Sequence, residues 1–224
     1  MRPTYQEIKN KIKPLDLILY KSDSIYDYVM SITETYAIGS GEFTQCGIVV
    51  TTDLMDIDNG KPDELYLWET TLSLLSEHPV KDIETGTLKY GGQIRNLDEL
   101  MNLKYERIAL CSLLDQTINS EIDYKNELNR LKRLFNGIRC DGSFMSIINV
   151  TLKWLYNIVS NTTSHMSFGM VPYIYQILGF LPRKIDPNDF APVEFAGKTD
   201  KEFVSPFKEI IIFVPQSKHF LLNK

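Results

Sequence analysis

The chain has 224 residues, which is enough for one domain with a full hydrophobic core. Hydrophobic residues make up 43% of it, and its net charge of −5 argues against the basic surface typical of nucleic-acid-binding proteins. The three cysteines are an odd number without metal-ligand spacing, which excludes a disulfide framework and indicates a reducing compartment. We therefore expect no metal, no cofactor and no nucleic-acid partner.

The sequence carries no recognisable export or membrane signal. Its first ten residues, MRPTYQEIKN, lack the apolar core of a signal peptide. No run of about 18 apolar residues predicts a transmembrane span. We expect a cytoplasmic protein that is not secreted through a signal peptide.

Strand patterns dominate the first half of the chain. After a polar and basic arm over residues 1–13, compact runs rich in aliphatic, β-branched and aromatic residues predict strands at 15–20, 43–51, 65–70 and 105–114. Helical spacing predicts a helix over 24–38. The 43–51 and 65–70 strands are expected to pair antiparallel across the 54–63 loop. Residues 85–97 are interpreted as a loop and short strand with Gly91-Gly92 as a bend.

Helical patterns dominate the second half, and one strand returns near the end. Apolar spacing predicts helices over 122–135 and 146–159, a third helix after residue 170, and a strand over 207–214. Strands that cluster first and helices that follow are typical of an α+β fold with a mainly antiparallel sheet. We divide the chain into an N-terminal arm (1–13), one domain (14–215) and a C-terminal tail (216–224).

Residues 165–181, HMSFGMVPYIYQILGFL, are the most informative stretch. Pro172 favours a helix that begins near Val171, because proline is tolerated in the first turn and Gly179 is suited to end the helix. Ser167 lies just upstream, where a helix N-terminus offers unpaired N–H groups and a partial positive charge. An N-cap, an anion site and an activated nucleophile all fit such a position, and the cap is the commonest use of a serine there.

These residues resemble the permuted papain-like hydrolases, circularly permuted relatives of the NlpC/P60 amidases. The family has a Cys-Ser-Glu-Leu-Val run that opens a helix continuing Tyr-x-Tyr-x-x-Leu-Gly-Leu-Leu, and SFGMV (167–171) and YIYQILGFL (173–181) lie over it. Further motifs agree in order: PLDLI (14–18) with a Gly-Asp strand, FTQCGIV (43–49) with a His-containing strand, LWE (67–69), CDG (140–142) loosely with a Tyr-Asp pair, and PNDF (187–190) with Pro-x-Asp-Phe.

The resemblance implies a papain-like site whose catalytic groups are replaced. Ser167 stands at the position of the nucleophilic Cys, Gln45 at that of the general base His, and Glu69 keeps the third polar position. A papain-like site requires a thiolate and a neighbouring imidazole, and a Gln side chain does not act as a base at neutral pH. His165 is a candidate substitute base, whereas His78 and His219 are interpreted as surface residues.

The first hypothesis is therefore a catalytically inactive member of this fold with a structural or binding role. Related folds occur in bacteria and large DNA viruses, so the resemblance implies a virus-encoded or virion protein that binds other proteins, including virion proteins. The second hypothesis is an active hydrolase or acyltransferase that uses Ser167 with His165 or Glu69 on an amide or lipid ester. The third is a vestigial cleft that binds a lipid or peptide without turnover.

Overall fold

The computed structural model describes residues 2–23, 25–72, 80–88, 90–115, 122–136, 169–187, 190–197 and 205–215. Several predicted features lie outside these ranges: the helix over 146–159, the CDG motif at 140–142, the centre of the PNDF motif, the tail from 216, and His78, His165, Ser167 and His219.

Within these ranges, six strands form one antiparallel sheet in the order β4-β3-β2-β1-β5-β6. The strands are Leu17–Ser22 (β1), Gln45–Val50 (β2), Tyr66–Leu72 (β3), Tyr90–Asn96 (β4), Tyr105–Leu113 (β5) and Phe207–Ile212 (β6). The helices are Tyr5–Ile8 (α1), Ile25–Ile38 (α2), Leu97–Met101 (α3), Tyr124–Asn136 (α4) and Met170–Ile177 (α5). The α+β class and the β2–β3 pairing are confirmed, and no helix in the described ranges is long and apolar enough to cross a membrane.

The interpretation of Gly91-Gly92 as a bend is wrong. Both glycines lie inside β4, which pairs with β3 from Tyr90 to Asn96. A Cβ built on Gly92 would lie 3.4 Å from Phe135, so α4 packs directly over this part of the strand. Strand pairing and helix packing override the local preference of a glycine pair for a turn.

The sheet separates two hydrophobic cores, because successive side chains of a strand point to opposite faces. The first core contains Leu17, Cys46 and Trp68 together with residues of α4 and α5, and we call this side the α5 face. The second core contains Ile18, Val49 and Leu67 with residues of α1 and α3, and we call it the α1 face. Residues of the predicted N-terminal arm contribute to this second core.

The turn before β1 joins α5 to the sheet. The Tyr175 hydroxyl of α5 donates to the Leu15 carbonyl at 2.7 Å. The buried Asp16 carboxylate accepts from the backbone N–H groups of Lys13 and Leu113, each at 2.8 Å. Burial raises the pKa of Asp16 although these hydrogen bonds act in the opposite direction. This turn therefore fixes α5 relative to β1 and β5.

Helix α2 has an unusual distribution of side chains. Its acidic residues Asp27 and Glu34 are buried, whereas Tyr28, Val29 and Ile32 are exposed. Acidic residues on a helix normally face water, and apolar residues normally face the core. The buried side of α2 thus brings carboxyl groups to the end of the sheet at which β1 ends and β2 begins.

Candidate functional site

Helix α5 begins beside the C-terminal end of β3. It starts at Met170 with Pro172 in its first turn, as predicted, and the Thr70 hydroxyl of β3 contacts the Met170 sulfur at 3.0 Å. Gly179 follows the helix with a φ of +80°, a conformation that glycine adopts without steric cost. Ser167 lies outside the described residues, three positions before the helix starts.

Gln45 is buried at the start of β2 and is held by Asp27. Its Nε2 donates to Asp27 Oδ1 at 3.2 Å, and the Thr44 hydroxyl donates to the same oxygen at 2.8 Å. The second Asp27 oxygen accepts from the Ser22 backbone N–H at 2.8 Å and from the Ser22 hydroxyl. Asp27 thus joins β1, α2 and β2 through one buried carboxylate.

Sequence reasoning missed Asp27. The only signal it gives is an acidic residue in the first turn of a predicted helix, where such residues commonly interact with the helix dipole. Its role depends on β1 and β2 lying side by side, which a single sequence does not reveal. Asp27 is nevertheless the residue in direct contact with the amide of Gln45.

Glu69 is fully buried in β3 and belongs to a second network. Arg95 of β4 donates through Nε to Glu69 Oε1 at 2.6 Å and forms a salt bridge with it. The Tyr20 hydroxyl of β1 donates to Glu69 Oε2. Both carboxylate oxygens of Glu69 are therefore engaged by buried donors that come from the strands on either side of β2 and β3.

Burial suppresses ionisation of the tyrosines in this network. The pKa of Tyr20 is raised well above its usual value, first by burial and then by the charge of Glu69. Burial also raises the pKa of Tyr105, whose ring packs edge-to-face against Tyr20 at 5.3 Å between centroids. Both phenols thus remain protonated, and Arg95 is the positive charge that balances Glu69.

Gln45 and Glu69 lie on the same sheet face but have different partners. Gly47 lies two residues after Gln45 on β2 and pairs with Glu69 on β3. A Cβ built on Gly47 would lie 3.0 Å from the Glu69 Cβ and 2.6 Å from the Leu67 Cγ. Side-chain alternation therefore places both residues on the α1 face, whereas α5 packs on the other face. No hydrogen bond joins Gln45 to Glu69 among the described residues.

The two described cysteines are unsuited to nucleophilic chemistry. Cys46 lies on the α5 face, opposite Gln45, and Cys111 of β5 is buried on the same face. Burial raises the pKa of the Cys46 thiol, and the charge of Glu69 raises it further. Burial likewise raises the pKa of Cys111. Both therefore stay protonated at neutral pH, and a thiol reacts as the thiolate.

A third carboxyl group, Glu34 of α2, is fully buried close to this site. Neither of its oxygens has a hydrogen-bond partner among the described residues. Burial raises its pKa well above the usual value, and the charges of Asp27 and Glu194 act in the same direction. Burial therefore disfavours the charged form of Glu34. The buried amide of Gln93, opposite Glu69 in the register of β3 and β4, also has no hydrogen-bond partner within the described ranges.

Within the described ranges, no three His, Cys, Asp or Glu side chains are grouped closely enough to hold a metal ion. The site consists instead of two buried hydrogen-bond networks, one on Asp27 and one on Glu69.

A scan of the sequence against models of known protein families finds no match, and a search of curated proteins finds none either.

Proposed function

We propose that this chain is a catalytically inactive member of the permuted papain-like hydrolase fold, retained for a structural or binding role. One observation carries the proposal: Gln45 and Glu69, at the positions of the family's base and third polar residue, are held in separate networks. Gln45 bonds to Asp27, and Glu69 is neutralised by Arg95. Neither side chain supplies a base to a nucleophile at neutral pH.

The backbone at Leu15 supports the assignment to this fold. The family has a glycine at this position, and Leu15 has a φ of +72°, in the left-handed region that glycine adopts readily. The Leu15 carbonyl also accepts the hydrogen bond from Tyr175 in the helix that follows the nucleophile position. The antiparallel sheet is consistent with the same fold.

The proposed role is to bind other proteins, in the cytoplasm or in a virion of a large DNA virus. The viral source rests on the family resemblance. A lipid or peptide held in a vestigial cleft is the alternative ligand, and mass spectrometry of the purified protein tests it by detecting a co-purified lipid.

The competing hypothesis is an active hydrolase or acyltransferase that uses Ser167. The engagement of Glu69 by Arg95 and Tyr20 argues against Glu69 as its base. His165, the other candidate base, lies outside the described residues.

Intact-mass labelling with a fluorophosphonate probe separates the two hypotheses. The folded wild-type protein is compared with Ser167→Ala and with Ser205→Ala as a matched control, and an active serine hydrolase serves as the positive control for the probe. We expect no adduct on any of the three proteins. An adduct that disappears in Ser167→Ala and persists in Ser205→Ala would overturn the inactive-enzyme proposal.

A further inference from the structure

Position 45 already has a carboxylate partner that is fixed in orientation. Asp27 is almost completely buried, and its two oxygens accept hydrogen bonds from Ser22, Thr44 and Gln45. These donors come from the end of β1 and the start of β2, so the carboxylate is held between two strands. A carboxylate that is oriented in this way binds a donor at position 45 without further rearrangement.

An imidazole at position 45 has the reach to use the same acceptor. The Nε2 atom of histidine is three bonds from Cβ, as is the Nε2 atom of glutamine. A ring N–H at that place is within reach of Asp27 Oδ1, which now accepts from Gln45 at 3.2 Å. A carboxylate bonded to one ring nitrogen fixes the tautomer and raises the basicity of the other nitrogen.

Glu69 is less suited than Asp27 to orient an imidazole at position 45. Its oxygens are engaged by Arg95 and Tyr20, and Gly47 rather than Gln45 is its neighbour on β2. A positive charge at position 45 would also lie on the same face as Arg95, which already balances Glu69.

We propose that Asp27, and not Glu69, is the positioning residue of position 45: its carboxylate orients the side chain at the place where an active relative would carry a histidine base. This inference rests on the proposed function, because it assigns a role within the same degenerate site. It adds α2 to the elements that build the site.

The test restores an imidazole and measures its pKa. In Gln45→His, the histidine ring signals are titrated by NMR, and the new signal is identified by comparison with the wild-type protein, which has three histidines. Removing the charge with Asp27→Asn in this background is expected to lower the imidazole pKa by about one unit or more, the effect of an adjacent opposite charge. Glu34→Gln is the matched control on the same helix, because it removes a buried carboxyl group that makes no hydrogen bond to Gln45 or to any other described residue.

Two titratable groups also interact with Asp27: Glu34 on the same helix and Tyr105 at the start of β5. Burial raises the pKa of both groups, and the Glu34→Gln background shows whether Glu34 contributes to the change. If Asp27→Asn does not fold, the carboxyl carbon of Asp27 is followed in Gln45→His alone. Its chemical shift is expected to change with the imidazole titration, whereas that of Glu69 is not.

An imidazole pKa that is equal in the Asp27→Asn and Glu34→Gln backgrounds would overturn the inference. A chemical shift of the Asp27 carboxyl carbon that does not change as the imidazole titrates would also overturn it. These failures differ from failure of the proposed function. Labelling at Ser167 would refute inactivity and leave the Asp27 coupling intact, whereas an absent coupling would leave the labelling result unchanged.

Discussion

At Leu15, the burial of the side chain and the conformation of the backbone favour different residues. Its side chain is buried in the core on the α5 face, which favours a large apolar residue. Its backbone has a φ of +72°, which disfavours any residue with a Cβ by about 1–2 kcal/mol. The two effects have opposite signs, and burial of the leucine side chain, which stabilises by about 1.5–3 kcal/mol, offsets the backbone cost.

This conflict predicts that the usual stability order, in which an alanine variant is more stable than a glycine variant, is reversed at Leu15. Leu15→Ala and Leu15→Gly both lose the buried side chain, but only the glycine variant relieves the backbone. We expect Leu15→Gly to be more stable than Leu15→Ala by about 1 kcal/mol in denaturant unfolding. At Leu19, a buried position of β1 without a positive φ, the glycine variant is expected to be the less stable one by about 0.5–1 kcal/mol. The same order at both positions would contradict the role of the Leu15 backbone.

Removal of the positive charge of Arg95, which pairs with Glu69, is expected to lower the unfolding free energy strongly. Arg95→Met leaves the Glu69 carboxylate buried without its counter-charge, and such losses cost about 3–5 kcal/mol. Lys61→Met removes one partner of the exposed Lys61–Glu64 pair, which contributes less than about 1 kcal/mol. Unfolding free energies from urea titrations test this difference, and similar losses in the two variants would show that Glu69 is not isolated from solvent.

At the scale of elements, α2 is the least ordinary helix among the described residues. Its carboxyl groups are buried at the end of the sheet, where Asp27 accepts a hydrogen bond from Gln45, and its outer side exposes apolar residues. Sequence periodicity correctly predicts the extent of the helix but does not reveal this orientation. An apolar residue exposed to solvent contributes little to folding, whatever its hydrophobicity.

Two alanine substitutions on α2 test its orientation. Met30→Ala creates a cavity at a buried position and is expected to lower the unfolding free energy by about 2–5 kcal/mol. Ile32→Ala removes a similar volume from an exposed position and is expected to cost less than about 1 kcal/mol. Thermal melting of the isolated protein gives both values, and a larger loss for Ile32→Ala would mean that the helix is rotated about its axis.

At the scale of the whole molecule, the buried acid Glu34 makes stability depend on pH. Its pKa is raised in the folded state by burial and by the charges of Asp27 and Glu194, although Lys21 opposes the shift. Between the unfolded pKa of about 4.3 and the higher folded pKa, the folded state binds more protons than the unfolded state. This contribution therefore lowers the unfolding free energy as pH rises, by up to about 1.4 kcal/mol per pH unit.

Glu34→Gln is expected to remove this dependence. The variant gains stability relative to the wild type as pH rises from about 4 to 8, because the wild type alone must hold the proton or bury a charge. Urea titrations across this range measure the difference. The exposed Glu99→Gln is the control and is expected to follow the wild-type curve, and a constant difference between Glu34→Gln and the wild type at every pH would contradict the prediction.

The candidate site was predictable only in part. The sequence pointed to Gln45 and Glu69 as site residues, and both are buried polar groups at one end of the sheet. Their partners could not be predicted, because Asp27 and Arg95 lie 18 and 26 residues away along the chain. Hydrogen-bond partners across a sheet depend on strand order and register, which a single sequence does not determine.

The sequence by itself determined the α+β class, most strand positions and the start of α5, because apolar periodicity and a first-turn proline act locally. Only the tertiary structure decided that Gly91-Gly92 continues a strand, that α2 faces its acids inward, and that Gln45 and Glu69 belong to different networks. These features arise from contacts between segments distant in sequence, where pairing and burial outweigh the local preference of any residue.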